Sequence, residues 1–351
     1  MPEARAPGKL LICGEYAVLH GAPAIAAAVD VHANASVRRI TGPDSILVDH
    51  CTGASFPYRL TAGGAVQWRG SGPGRRGAVL EALFETMAGH FTAFGTDLVS
   101  ETCLDTDAFY ATSNGEKVKL GLGSSAAVLV ALTGALLAAL GIEMAATELR
   151  QLCCEAHRRF QAGQGSGVDV VTALEGGVVA VSLSAGRRSP DVRRLSLPDG
   201  LHIVPVWSGT SASTTQLLSR FDAYARLDAR GFGKHAKTLR DIAAAVLDAW
   251  RDARSADVLA GLRRYDAALQ SLDRQGGIGI YTPAHRKLAR ICAASGALYK
   301  ISGAGGGDFG LACSDSAVIM ASLVKRLQAA GYSTLAAPGT ARGLTVRPGT
   351  A

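Results

Sequence analysis

The sequence predicts an α+β fold divided into about two domains. Strand-like and helix-like segments are mixed in the second half without the regular alternation that a doubly wound parallel sheet requires. The length of 351 residues suits two domains, since one domain commonly takes about 150 residues. Polar and proline-containing residues between positions 184 and 198 form the best boundary. We therefore predict an N-terminal domain over residues 1–190 and a C-terminal domain over residues 198–351.

The first half contains short apolar runs, glycine-rich turns and longer Ala/Leu-rich segments. The letters APGK at positions 6–9 predict a stiff turn that presents Lys9 in front of the first strand. Apolar patterning predicts strands over residues 10–13, 24–29 and 178–183, with more strands between residues 44 and 70. It predicts helices over residues 78–91, from residue 125 to a terminating glycine at 141, and over residues 145–159 and 168–174.

The second half begins with a predicted buried strand over residues 202–207. Helical spacing of apolar residues predicts helices over residues 237–251 and 256–272. Thr282 followed by Pro283 is typical of an N-cap and a first helical position, which predicts a helix to about residue 294. Two strands over residues 298–301 and 309–313 then flank a glycine loop, and a helix over residues 316–330 precedes a last strand.

The composition indicates a soluble globular protein with anionic ligands. Hydrophobic residues make up 48% of the chain and charged residues 19%, and the formal net charge is +7. The basic residues occur as isolated pairs, such as Arg38-Arg39 and Arg263-Arg264. Because they form no continuous stripe with interleaved aromatic residues, we expect no nucleic-acid partner.

The sequence predicts neither a membrane-spanning segment nor a metal site with cysteine ligands. The seven cysteines are odd in number and lack metal-ligand spacing, so reduced thiols in a cytoplasmic protein are expected. The N-terminus has no signal-peptide pattern. The uncharged run from residue 120 to 142 contains a glycine turn, so its helical part is shorter than the about 20 residues that a bilayer needs. We expect a monomer or a homodimer.

The segment GLGSSAA at positions 121–127 is the most informative motif. Two glycines permit a tight turn, and two serines then stand at the start of an apolar helix. The free N–H groups and the helix dipole favour an anion there. The segment is not a Walker A sequence, but it offers backbone donors to phosphate and a hydroxyl to Mg²⁺. The alternative is a capped core helix, with Lys117 and Lys119 as solvated lysines on an edge strand.

Two further glycine-rich segments carry reactive residues. Asp169 follows GQGSGV at a helix start and could orient or deprotonate an acceptor; alternatively it is a first-turn aspartate that the helix dipole favours. The segment KISGAGGGDFG has four glycines at positions 303–307 between two strands. Such a backbone can be approached closely, as a phosphate ligand would require. Together the segments indicate a phosphoryl-transfer enzyme.

Taken in order, three segments resemble the GHMP kinases, a family that includes galactokinase, homoserine kinase and mevalonate kinase. They are APGKLLICGEYAVLHGAPAIA, KLGLGSSAAVLVA and KISGAGGGDFGLA, and they span residues 6 to about 313. The resemblance implies an N-terminal α/β domain related to a ribosomal-protein fold, a C-terminal ferredoxin-like domain, and an active site between them.

The strings GEYAVLHGAP, AHRRFQAGQGSGVDV, VWSGTSAST and SGAGGGD, the last ending at Asp308, are similar to the bacterial phosphomevalonate kinase branch of this family. This resemblance implies transfer of the ATP γ-phosphoryl group to 5-phosphomevalonate, with Mg²⁺, to give 5-diphosphomevalonate and ADP. The alternatives are mevalonate kinase activity and a non-catalytic ligand sensor with the same fold.

The resemblance also implies roles for individual residues. Lys9 would neutralise acceptor charge and interact with Asp169, which would orient or deprotonate the acceptor. The ATP phosphates would contact Lys119, Gly121, Leu122, Gly123, Ser124, Ser125 and Ala126, with Ser125 also on the metal. The acceptor would contact Ser166, Gly167, Ser302, Ala304 and Gly305. Glu155 does not have the offset of the metal-binding glutamate of mevalonate kinases, and Val168 and Phe309 also depart from the expected pattern.

Overall fold

The computed structural model describes residues 1–61, 63–91, 98–113, 115–163, 165–183 and 189–349. Gln164 of the Asp169 segment and residues 184–188 of the predicted boundary lie outside the described residues. The strands are β1 Glu3–Cys13, β2 Ala24–Arg39, β3 Ser45–Asp49, β4 Ser55–Leu60, β5 Val66–Trp68, β6 Ser100–Asp105, β7 Tyr110–Ser113, β8 Glu116–Lys119, β9 Val178–Ser182, β10 Asp191–Leu195, β11 His202–Trp207, β12 Leu298–Ile301, β13 Phe309–Ser314 and β14 Thr345–Arg347. The helices are α1 Arg75–His90, α2 Ser124–Leu140, α3 Ala146–Phe160, α4 Val168–Glu175, α5 Thr214–Leu227, α6 Ala229–Arg251, α7 Ser255–Gly276, α8 Pro283–Ala293 and α9 Ala317–Ala329.

The largest sheet is built around β2, which is 16 residues long. One edge of β2 pairs with β1, and the other edge pairs with β9 near its start and β6 near its end. The sheet continues from β6 through β3, β4 and β5, while β10 lies beside β9 and β14 beside β1. β3 and β6 run parallel, and the other pairs of this sheet in the described residues are antiparallel.

Helix α2 forms the centre of the core against β1 and β2. Its residues 126–137 are all buried, as expected of a helix that is apolar on every side. Gly134 permits a close approach of the C-terminal segment, since a β-carbon there would lie 2.9 Å from Leu344 Cδ1 and 3.0 Å from Val346 Cγ2. The helix ends at Gly141 in the left-handed conformation, which confirms the predicted terminator. The packing therefore fixes the N-terminus of α2 beside β1.

The C-terminal half contains a separate three-stranded antiparallel sheet in the order β11-β13-β12. Side chains of α8 and α9 form an apolar cluster on this sheet around Leu288, Met320 and Leu323. Helix α8 begins as predicted, with the Thr282 hydroxyl accepting the N–H of His285 at 3.4 Å. This mixture of a large sheet, a small sheet and helices confirms the α+β prediction. No helix of the described residues has both the length and the apolar character to span a membrane.

Some predicted elements differ from the structure. The predicted turn at residues 6–9 is wrong, because these residues lie within β1, where the pairing with β2 shifts register between Pro7 and Gly8. β10 falls inside the predicted boundary and pairs with β9, and β14 returns the C-terminal segment to the large sheet. Helix α5 had not been predicted. The division into two domains at these residues stays a prediction.

Candidate active site

The N-terminus of α2 begins at a glycine turn, as the sequence predicts. Gly121 and Gly123 have φ angles of 72° and 80°, values that residues with a side chain rarely adopt. Gly123 precedes the helix, and its carbonyl accepts the N–H groups of Ala126 and Ala127. No side chain caps this N-terminus among the described residues. The first N–H groups of the helix are therefore available to an anion.

Lys9 and Asp169 lie beside the same glycine of this loop. The Lys9 backbone N–H donates to Leu122 O at 2.9 Å, which ties β1 to the loop. Gly8 makes this approach possible, because a β-carbon there would lie 2.9 Å from Leu122 O. A β-carbon placed on Gly123 would lie 3.4 Å from Lys9 Cγ and 3.6 Å from Asp169 Cβ. An ammonium group and a carboxylate from distant segments are thus brought to the start of α2.

Asp308 is a further residue of the site, which the sequence marked only as a feature of one family branch. A β-carbon on Gly121 would overlap its carboxylate group. Asp308 has a φ of 56°, unusual for a residue with a side chain, and its Oδ1 accepts the Ala212 N–H at 3.1 Å. Burial raises the pKa of this carboxyl, and the ammonium groups of Lys9 and Lys119 act in the opposite direction. The second glycine loop therefore brings a partly buried carboxylate to the first.

The two lysines before the loop have different surroundings. Lys117 is exposed and pairs with Asp107, with Nζ 2.5 Å from Oδ1. Lys119 is partly buried, and burial lowers its pKa, an effect that the Arg75 guanidinium adds to and the Asp308 carboxylate opposes. Lys119 is therefore the one of the two that shares the electrostatic environment of the site, in line with the predicted role.

Ser125 lies opposite a histidine that sequence reasoning missed. Its Oγ is 3.2 Å from Nε2 of His157, a buried residue of α3. Glu155, two residues earlier, instead contacts His90 of α1, with Oε2 3.3 Å from Nε2. Residues two apart on a helix do not share a face, so Glu155 and His157 have different neighbours. In the described contacts Glu155 thus faces α1, and His157 faces Ser125.

The loop residues predicted to bind the acceptor form hydrogen bonds and close contacts with other parts of the chain. The Ser302 hydroxyl accepts the Leu11 N–H and donates to Leu11 O, both at 2.9 Å. The carbonyl of Ala304 accepts the Tyr16 hydroxyl at 2.6 Å. A β-carbon on Gly305 would lie 2.6 Å from Ile280 O. Their contact with substrate stays a prediction, because the described contacts show only a loop docked on β1 and its neighbours.

Near Asp169, the remaining predicted residues shape the backbone. Gly167 precedes α4 with a φ of 70°, and a β-carbon there would lie 3.3 Å from Pro190 Cγ. The Ser166 hydroxyl is 3.5 Å from the Val168 N–H. Val168 is buried, as is Phe309 at the end of the other loop, so both departures from the family pattern are core residues here.

Comparison with known proteins supports the assignment that these features suggest. The N-terminal domain profile of the GHMP kinases matches residues 83–177. The chain is 30% identical over 341 residues to phosphomevalonate kinase of Streptomyces sp. strain CL190, covering 89% of each chain. The chain belongs to the GHMP kinase family. Mevalonate kinase of Aeropyrum pernix is also similar, at 30% identity over 190 residues, covering 54% of this chain and 52% of that one.

The fold of this GHMP kinase also matches solved structures of the family. Phosphomevalonate kinase of Streptococcus pneumoniae, solved with phosphomevalonate and AMPPNP, superposes with a TM-score of 0.78 at 18% identity, over 96% of this chain and 99% of that one. Mevalonate kinase of Methanococcus jannaschii gives a TM-score of 0.71 at 17% identity, over 97% and 98% of the two chains. As a GHMP kinase the chain is an ATP-dependent phosphotransferase.

Proposed function

We propose that this GHMP kinase transfers the γ-phosphoryl group of ATP to the phosphate of 5-phosphomevalonate, giving 5-diphosphomevalonate and ADP. The observation that carries the proposal is the meeting of Lys9, Asp169 and the glycine turn before Ser125 at one helix N-terminus. The choice of acceptor is supported by the phosphomevalonate kinase of Streptomyces sp., which is similar over 89% of both chains.

The acceptor chemistry determines what the site must supply. A phosphate oxygen is already largely ionised at neutral pH, so deprotonation contributes little. Catalysis then depends on aligning the acceptor with ATP and on neutralising the repulsion between their negatively charged phosphates. In this proposal Lys9 neutralises the acceptor phosphate, and Asp169 orients it for in-line attack.

The nucleotide phosphates would lie at the start of α2. The backbone N–H groups from Gly123 to Ser125 and the Lys119 ammonium supply positive potential there. The oxygen donors present, the Ser125 hydroxyl and the Asp169 carboxylate, suit Mg²⁺, which prefers oxygen ligands and shares them with substrate phosphates. Bound Mg²⁺ would neutralise charge that develops on the transferred group. We infer that these two residues would hold it.

Mevalonate kinase activity is the second candidate, because the Aeropyrum pernix mevalonate kinase is similar over about half of the chain. Its acceptor is a hydroxyl group, which must lose a proton during the transfer. Asp169 would then act as a general base, a role worth about 10²–10⁴-fold in rate. The two candidates thus use the same aspartate differently.

A coupled ADP-release assay with Mg²⁺ and ATP decides between them. The acceptors are 5-phosphomevalonate, mevalonate, 5-diphosphomevalonate, homoserine and galactose, and a reaction without acceptor measures background hydrolysis. We expect turnover only with 5-phosphomevalonate, and a product that carries one more phosphate by mass spectrometry. Turnover with mevalonate alone supports the second candidate. Nucleotide binding without turnover of any acceptor would indicate a ligand sensor.

A further inference from the structure

A buried ion pair joins the first and last motifs of the chain. The Lys300 Nζ on β12 lies 2.5 Å from Oε1 of Glu15, and both side chains are fully buried. The same Nζ donates to Ile301 O at 2.6 Å, whereas Glu15 Oε2 has no hydrogen-bond partner among the described residues. Burying two charges is costly, and apolar residues of similar volume often stabilise a fold equally well. The pair therefore calls for an explanation other than stability.

The pair lies between the strand that carries Lys9 and the second glycine loop. Glu15 follows β1, and its backbone carbonyl accepts the Tyr265 hydroxyl of α7 at 2.7 Å. Lys300 is two residues before Ser302, whose hydroxyl bonds both backbone groups of Leu11. Tyr16, next to Glu15, donates to Ala304 O in the loop. The end of β1 and the loop are thus joined through side chains on both sides.

We propose that the Glu15–Lys300 ion pair is a positioning device that sets the register of the glycine loop against the strand bearing Lys9. This inference rests on the proposed function. Apolar side chains tolerate sliding, but a buried charge pair is compensated in only one arrangement. The loop leads to Asp308, which touches Gly121 of the phosphate turn. A shift of the loop would therefore move the residues predicted to bind the acceptor relative to the turn predicted to bind the nucleotide phosphates. A misplacement of about 1 Å can cost about 10²-fold in rate.

The test replaces both charges together. In Glu15→Leu/Lys300→Met neither charge is left unpaired, so the variant should keep a denaturation midpoint near that of the wild type. We expect its kcat to fall about 10–100-fold while the dissociation constant for ATP changes less than about threefold. Hydrogen exchange of the Ser302 and Gly306 amides, which bond Phe309 O and Ile280 O, should become faster.

Two more variants keep the result interpretable. Leu288→Ala removes volume from the apolar cluster of α8 and α9, which includes neither Glu15 nor Lys300, so it should lower the denaturation midpoint and leave kcat unchanged at low temperature. Glu15→Asp keeps the charge but withdraws the carboxylate by one methylene group. It should fold and show an intermediate loss of kcat. If the double variant fails to fold, the kcat of Glu15→Asp is used to test the proposal.

The outcomes separate this inference from the proposed function. If the wild type uses another acceptor, the function is wrong, and the same kinetic comparison is made with that acceptor. If the wild type turns over no acceptor, faster exchange of the two amides in the double variant supports the positioning role. Unchanged kcat and unchanged amide exchange in a folded double variant would overturn it.

Discussion

The two glycine-rich loops of this kinase look alike in sequence but have different surroundings. In the turn before α2, β-carbons on Gly121 and Gly123 would meet the side chains of Asp308, Lys9 and Asp169. In the loop between β12 and β13, β-carbons on Gly305 and Gly306 would meet Ile280 and Leu217. The first set of glycines faces polar groups at an uncapped helix end, and the second faces the packed protein.

This difference assigns different physical tasks to the same residue type. Glycine in the first loop keeps space between charged groups, where a ligand's phosphates would bind. Glycine in the second loop permits close packing of one backbone segment on another, such as the Gly306 N–H on Ile280 O at 2.8 Å. Substitutions in the first loop should therefore impair activity, and substitutions in the second that leave its register against β1 unchanged should mainly impair stability.

The largest effect should come from the polar side of the first loop. Asp169→Asn keeps the shape of the side chain and removes the charge beside Gly123 that orients the acceptor, so we expect kcat to fall by about 10² with ATP binding retained. ADP release and a nucleotide titration measure the two quantities. Asp241→Asn, on an exposed face of α6, is the control and should match the wild type. Full activity in Asp169→Asn would remove this residue from the mechanism.

Gly121→Ala tests the contact between the two loops. The new β-carbon would overlap the Asp308 carboxylate, so we expect kcat/KM for ATP to fall about 10–100-fold. Gly141→Ala is a matched control, because Gly141 has a φ of 69°, close to the 72° of Gly121, but nothing within 4 Å of its β-carbon position. Asp308→Gly in the Gly121→Ala background should restore part of the activity. Equal losses in both alanine variants would mean that backbone strain, and not Asp308, causes the effect.

Much of the fold could be predicted from local patterns. The apolar run of α2 with its terminal Gly141 and the Thr282-Pro283 start of α8 are both specified within a few residues. The chain at Pro7 and Gly8 was misread because these residues favour turns locally, whereas pairing with β2 incorporates them as an irregularity in β1. A Ser at 213 with Gln at 216 is a capping pattern that could have revealed α5, since the Ser213 side chain accepts the Gln216 N–H.

The candidate site was predictable only in part. Lys9, Ser125 and Asp169 each belong to a recognisable segment, so their types and order pointed to phosphoryl transfer. The contacts of Ser125 with His157 and of Glu15 with Lys300 depend on how distant elements pack. No local pattern encodes such a pair, because the sequence around one partner does not specify which distant residue will pack against it.

Substitutions in the loop between β12 and β13 should have a smaller effect, and on stability instead of activity. A β-carbon on Gly306 would lie 2.8 Å from Leu217 Cδ1, whereas one on Gly303 would have nothing within 4 Å, and both glycines have left-handed φ angles. We expect Gly306→Ala to lower the free energy of unfolding by about 1–3 kcal/mol more than Gly303→Ala does. Because the new β-carbon meets the end of the flexible Leu217 side chain, we expect Leu217 to move and the loop to keep its register, so that kcat stays within about threefold of the wild type. Urea denaturation measures the difference, and Leu217→Ala should relieve part of it. A large loss of kcat in Gly306→Ala with normal stability would place this loop on the ligand instead.

The smallest effect concerns the carboxylate that joins the loops. Because burial raises the pKa of Asp308, the folded protein holds its proton more tightly than the unfolded chain does. The ionised carboxylate therefore costs folding free energy, and the cost grows as the pH rises from the unfolded to the folded pKa. Asp308→Asn removes this cost and tolerates the left-handed φ of 56°. We expect its thermal midpoint to exceed that of the wild type by a few degrees at pH 8 and the gain to shrink at acidic pH. A gain that stayed constant with pH would mean that charge burial is not its cause.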